Sequence, residues 1–263
     1  MMPDVVIDVG NSRVKWGRRA ADAPQIAEAV SLADDVEAWQ SQLEQWRNAH
    51  LLPSPAAWVL AGVRPQRLEK LRVWLQVQGE RVALLHSAAQ LPLAVGLEHP
   101  DRVGIDRLLN AVAACEVMPP GFPAILVDAG SAVTVDWLDE THTFRGGAIL
   151  PGLRLMVEAL HEHTALLPLV SIPLPVPRLP GTATIPAMQA GVFWAVIGGI
   201  DRIVQCLRRV AAVEPRLYLT GGDGPFLLKG LAGHGDEGLT VLAPTLWPEQ
   251  TLAGILHAAE ALP

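Results

Sequence analysis

AILVDAGSAVTVDWLDETHTFRGGAILPG, Ala124 to Gly152, is the stretch whose reading decides the fold. Its apolar run Ala124-Ile125-Leu126-Val127 stops on Asp128. The small residues Ala129-Gly130-Ser131-Ala132 then turn the chain, and Val133-Thr134-Val135-Asp136-Trp137 returns as a second strand. Strand, carboxylate, tight glycine turn and returning strand make a β-hairpin that can offer a carboxylate, a hydroxyl and backbone N–H groups to a phosphate. The same construction stands at the start of the chain. Val5-Val6-Ile7 runs into Asp8-Val9-Gly10-Asn11-Ser12, and Arg13-Val14-Lys15-Trp16 returns. A hairpin used twice implies two similar half-molecules, expected at 1–118 and 119–263 and facing each other across a cleft.

Working outward, the rest of the chain alternates strand and helix, an α/β pattern. Asp34 to Trp46 carries Val36, Trp39, Leu43 and Trp46 at helical spacing, with Asp34 or Asp35 placed to cap. Ala57–Ala61 reads as a buried strand, 66–77 as a helix and 82–85 as a short strand. Asp106-Arg107 opens a strong helix that Pro119-Pro120-Gly121 ends. Gly152–Leu160 reads as a helix, and the proline-rich 166–180 as an ordered extended loop or a partner-covering arm. A long helix over 187–210 contains Gly191, Gly198 and Gly199, which allow close backbone packing. A strand over 216–222, a short helix over 224–232, a last strand over 239–243 and a final helix over 249–259 complete the reading.

Composition narrows the function. Of 263 residues, 50% are hydrophobic and 18% charged, enough for a sizeable core and without a disordered signature. The net charge is −7 and no Lys/Arg block occurs, which argues against a dedicated nucleic-acid or anionic-membrane surface. No uninterrupted apolar run reaches the length of a membrane span, and no leader pattern opens the chain, so a cytoplasmic protein is expected. Cys115 and Cys206 sit in helical patterns without metal-ligand spacing, and buried thiols are expected. His161 and His163 do not share a helix face, which leaves zinc without a ligand set. There is no Walker P-loop, no G-x-G-x-x-G and no G-x-S-x-G.

Three constellations carry chemistry. In the first, Gly10 permits the turn, Asn11 and Ser12 add donors, and Lys15 brings a positive charge. Asp8 either holds Mg²⁺, directly or through water, or caps local amides. In the second, Asp128 can bind a metal, while Gly130 and Ser131 either receive a phosphate or simply close the turn. In the third, Asp106 and Arg107 stand where a helix start attracts anions. Arg107 offers a fork to a carboxylate, and Asp106 can accept a proton from an attacking hydroxyl; the alternative is a dipole-stabilising aspartate beside a surface arginine. Thr184 is a phosphate donor or a helix cap.

Taken together, DVGNSRVKWG at 8–17, GIDRLLNAVAA at 104–114, VDAGSAVTVD at 127–136, FRGGAILPGL at 144–153, TALLP at 164–168, GTATIPAMQAG at 181–191 and LTGG at 219–222 resemble, in order, the motifs of type III pantothenate kinases. The resemblance implies an acetate/sugar kinase–Hsp70–actin type fold with two ribonuclease-H-like halves, a homodimer, and ATP-dependent phosphorylation of pantothenate at the first step of coenzyme A synthesis. By that similarity Asp106 is the general base. Gly104, Arg107 and Thr184 lie on the substrate side. Asp8, Gly10, Asn11, Ser12, Lys15, Gly130 and Ser131 serve ATP and its Mg²⁺, and Asp128 binds a monovalent cation, K⁺ or NH₄⁺. Ser12 and Ser131 replace the family's usual threonines and keep the hydroxyl. The alternatives are a kinase for another small hydroxylated substrate and a nucleotide-responsive regulatory protein of the same fold.

Overall fold

The computed structural model describes residues 2–172, 175–232 and 244–262. The chain forms two compact units, Met1–Pro119 with Glu249–Pro263, and Pro120–Pro248.

In the first unit β1 (Val5–Val9), β2 (Val14–Arg19), β3 (Ile26–Leu32), β4 (Ala57–Gly62) and β5 (Arg81–Leu85) form one sheet in the order β3-β2-β1-β4-β5. The first three strands are antiparallel and β4 and β5 run parallel to β1. Central strands covered on both faces need continuous apolar runs; β4 has one, and that of β1, Val5–Ile7, is broken by Asp8. β3 was not anticipated: its alanines and glutamate have weak strand preference and its residues are only half-buried. It is an edge strand, fastened by the β2 ladder and by Arg18–Glu28 at 3.4 Å.

One face of this sheet rests on tryptophan. Trp16, Trp39, Trp46 and Trp58 are fully buried, and Trp16 meets Trp58 edge-on at 5.1 Å between ring centroids. The helices α1 (Val36–Asn48) and α2 (Pro65–Val77) supply Trp39, Trp46 and Trp74 to this cluster. Each such ring pair adds about 0.5–1.5 kcal/mol beyond its buried area. Asp35, not Asp34, caps α1, accepting from the Ala38 amide at 2.7 Å. After β5 come the two-residue β6 (Ala94–Val95) and α3 (Ile105–Val117).

The second unit repeats the plan with β7 (Ala124–Ala129), β8 (Ala132–Leu138), β9 (Thr143–Pro151), β10 (Arg216–Thr220) and β11 (Thr245–Leu246). Its strands run β11-β10-β7-β8-β9, so β9-β8-β7-β10-β11 matches β3-β2-β1-β4-β5 strand for strand. Ile125, Val127, Val133 and Val135 on one face pack with Phe193, Val196, Ile197 and Ile200 of α5 (Thr184–Arg208) and with Leu227 and Leu231 of α6 (Gly224–Ala232). α5 is long and apolar enough to cross a membrane, with hydropathy 1.4, but its buried side chains belong to this core. The helix α4 (Leu153–Glu162) leads into the proline-rich segment, whose described residues, 166–172 and 175–180, form neither helix nor strand. Trp194 donates to the Pro177 carbonyl (3.1 Å) and Gln189 to that of Ser171 (2.8 Å), while Val170, Ile172 and Val176 pack on the core.

Three expectations need correction. The final helix α7 (Gln250–Glu260) was assigned to the second half, 119–263, but it belongs to the first unit. Nine of its eleven residues are buried, as suits a helix apolar all round, and it lies between α3 and the first sheet. Gln250 donates to the Asn110 carbonyl (3.0 Å) and Thr251 to the Asn110 side chain (2.9 Å). Sequence adjacency assigned this helix, whereas packing decides it. Second, Cys206 is exposed on the polar side of α5. Cys115 is only half-buried, although desolvation, and then Glu116, push its thiol up to about 11. Third, α5 begins at Thr184, three residues early, because Pro186 is tolerated in a first helical turn. The strand expected at 239–243 lies outside the described residues.

Candidate active site

In the first unit the hairpin register sets the geometry. Asp8 lies directly across from Lys15, and Ile7 from Trp16. Directly opposed residues share a face, so Ile7 and Trp16 enter the tryptophan core while Asp8 and Lys15 occupy the other side. Between the strands, the Gly10 amide donates to the Arg13 carbonyl (3.1 Å), and Asn11, Ser12 and Arg13 stand exposed. Gly62 ends β4 beside this turn. A Cβ there would lie 2.5 Å from the Val9 carbonyl oxygen, so only glycine lets β4 end this close to the turn.

The next residue, Val63, donates to Val9 (3.3 Å) and reaches toward Gly104, whose own Cβ would lie 3.8 Å from a Val63 methyl. The structure thus brings the Asp8–Lys15 hairpin and the start of α3 together around the end of β4. Gly104 is the cap residue of α3, and Asp106 folds back over it. Asp106 Oδ1 accepts from the Arg107 amide (2.8 Å) and lies 2.6 Å from where a Gly104 Cβ would be. The glycine is there for room, since its φ of −56° suits any residue. Burial raises the Asp106 carboxyl above the usual carboxylate range; the Arg107 amide and guanidinium pull it partly back. A carboxylate so placed is a proton acceptor of raised basicity.

Gly104→Ala would collide only with the tip of the Asp106 side chain, which can rotate away. It is expected to lower kcat/KM by about 10–100-fold, the cost of a misplaced reacting group. Stability should change by less than about 1 kcal/mol. Steady-state kinetics beside a thermal melt separate the two effects.

In the second unit Asp128 lies across from Thr134, on the face opposite the core, as Asp8 does in the first. The Gly130 amide donates to the Ala132 carbonyl (3.1 Å), matching Gly10 in a turn one residue shorter. Two further glycines hold this turn. The Gly152 amide donates to the Ser131 carbonyl (3.1 Å), and a Cβ on Gly152 would collide with the Gly130 and Ser131 carbonyls. Gly221, at φ +90°, passes so close to Ala129 that its Cβ would collide with that backbone. It thereby positions Asp223, whose amide donates to the Ala129 carbonyl (2.9 Å). Burial raises the Asp223 carboxyl, and Arg154 partly offsets it. Asp223, Arg154, Gly62 and Gly152 stand beside these turns without a sequence signal of their own, because each is defined by what it meets across the fold. Thr184 is exposed at the first position of α5; the cap is Ala183, so the capping role falls away.

A model of the type III pantothenate kinase family matches residues 5–206. The chain belongs to that family. A type III pantothenate kinase of Paramagnetospirillum magneticum is 32% identical over 260 residues, covering 96% of this chain and 95% of its own length. Among solved structures, a conserved Baf-family protein described as a transcriptional activator, from Campylobacter jejuni, superposes with a TM-score of 0.60 at 19% identity over 97% of both chains. An activator of 2-hydroxyisocaproyl-CoA dehydratase from Clostridium difficile, solved with bound ADPNP, gives 0.56 at 13% identity over 98% of this chain and 93% of its own. These two likenesses speak for the fold alone, the acetate/sugar kinase–Hsp70–actin type, and the strand-for-strand repeat is its two ribonuclease-H-like halves. Membership of a type III pantothenate kinase family makes the chain a phosphotransferase that uses ATP.

Proposed function

We propose that this chain transfers the γ-phosphoryl group of ATP to the 4′-hydroxyl of pantothenate, giving 4′-phosphopantothenate and ADP in the first step of coenzyme A synthesis. The observation that carries the reading is the Asp106 carboxylate, desolvated and folded over Gly104 at the start of a helix close to the end of β4, against which the Gly10 turn lies. Asp106 takes the hydroxyl proton as the oxygen forms its bond to the γ-phosphorus, and the bond to the ADP oxygen breaks in line. Arg107 holds the acceptor's carboxylate through its fork. Lys15 and the amides of Asn11 and Ser12 neutralise charge on the phosphates while Gly10 closes their turn; in the second unit Ser131 does the same beside the turn that Gly130 closes, and Thr184 donates from α5.

The residues present suit the ions that such a reaction uses. Asp8 would be the one protein carboxylate at Mg²⁺, with phosphates and water supplying its other ligands. Across from Asp128, the buried Thr134 Oγ1 has no hydrogen-bond partner, an oxygen suited to K⁺ or NH₄⁺ beside that carboxylate. When bound, these cations supply charge neutralisation at the phosphates. On this reading the protein works in the cytoplasm as a homodimer. Its approach surface is α5, where a Cβ on Gly191 or Gly198 would meet nothing.

ADP release measured with and without pantothenate, and with and without K⁺, tests the reading. Pantothenate-dependent release that rises with K⁺ is expected. Nucleotide binding without turnover would replace it with the regulatory alternative.

A further inference from the structure

With Asp35 capping α1, Asp34 is left for another task. Its Oδ2 lies 2.9 Å from Nε of Arg67, in the first turn of α2. The same guanidinium donates through Nη1 to the Asn11 carbonyl at 2.7 Å and, more weakly, to the Gly10 carbonyl at 3.5 Å. In a trans peptide the C=O and the following N–H point opposite ways. Carbonyls drawn toward Arg67 therefore turn the Asn11 and Ser12 amides away from it, both to the same side of the turn. That is the side a phosphate must occupy to be held by those amides.

We propose that Arg67, itself held by Asp34, is a positioning residue that presets the phosphate-binding turn at 10–12. It acts through backbone carbonyls and touches no reacting atom. Only an arginine can do this, because one planar group must meet a carboxylate on one edge and two carbonyls on another. The proposal rests on the phosphate reading of the turn given above.

The test is steady-state kinetics in ATP and in pantothenate separately, with thermal melts, on the parent and on Arg67→Gln, Arg67→Lys and Asp34→Asn. Arg67→Gln is expected to raise KM for ATP about 10- to 100-fold, the worth of a charge-assisted hydrogen bond. KM for pantothenate should stay within about twofold, and the melting temperature close to the parent's. Arg67→Lys keeps the charge without the fork and should fall between; Asp34→Asn should move KM for ATP the same way by less. An unchanged KM for ATP in Arg67→Gln would overturn the proposal. So would an equal rise in both KM values with a lowered melting temperature, which marks a merely structural arginine. A parent that does not consume ATP with pantothenate would instead overturn the phosphate reading itself.

Discussion

Asp106→Asn is expected to lower pantothenate-dependent turnover by about 10²–10⁴-fold, the usual worth of a positioned general base. It should do so without loss of thermal stability. Asparagine can still accept from the Arg107 amide and fits the space over Gly104, but it removes a carboxylate that burial disfavours. The linkage has a definite sign. The folded-state pKa is raised, so the contribution of this group to stability is full below the unfolded value and is lost as pH rises through the folded one. At neutral pH the parent carries that cost and the asparagine variant does not. Turnover runs the other way. Below the raised pKa the carboxyl already holds a proton and cannot take another, so parent activity should climb with pH through a midpoint above the ordinary aspartate range. A pH–rate profile beside melting curves at the same pH values checks both. Undiminished turnover in the variant would remove Asp106 as the base.

The largest expected effect on stability belongs to Gly254→Ala. Here α7 crosses α3 so closely that an added Cβ would collide with the Leu109 carbonyl, with the Leu109 Cα 3.1 Å away. The obstacle is helix backbone, not a movable side-chain tip as at Gly104. Overpacking should therefore outweigh the ~1 kcal/mol that alanine gains over glycine in a helix. A net loss of about 3 kcal/mol is expected, read by denaturant unfolding as a lower midpoint at unchanged slope. Because α3 carries Asp106 at its start, kcat/KM should fall as well. A variant as stable as the parent would show that the two helices do not approach this closely.

How much of this was legible beforehand follows from what each signal depends on. The two hairpins were readable because an apolar run ending on Asp, Gly and a hydroxyl residue is a local pattern, and Val14 and Trp16 alternate with Lys15 within three residues. The helix opened by Asp106 was readable for the same reason. β3 was not, since a half-exposed edge strand with alanine at alternate positions owes its form to the neighbour it pairs with. Nor were the supporting glycines: Gly62 and Gly152 look like any turn glycine until Val9 and Ser131 are seen against them. Arg67 carries no local signal that sets it apart from other charges on a helix. Its role depends on carbonyls more than fifty residues earlier. The expectation that Asp106 is the base came from the family resemblance; its closeness over Gly104 was not legible in the sequence.

The return of the last helix to the first unit has a consequence for how the molecule is made. The ribosome delivers the Asp8 turn, then Asp106, then all of 120–248 before Gln250–Glu260 emerges. The second unit is contiguous and can condense while translation continues. The first must wait with Leu109 and the underside of its sheet uncovered, because the helix that covers them follows the whole second unit in the chain. Completion of the first unit therefore waits until the whole second unit has been made, and a nascent chain that has not yet reached Gln250–Glu260 would hold Asp106 on an unfinished scaffold.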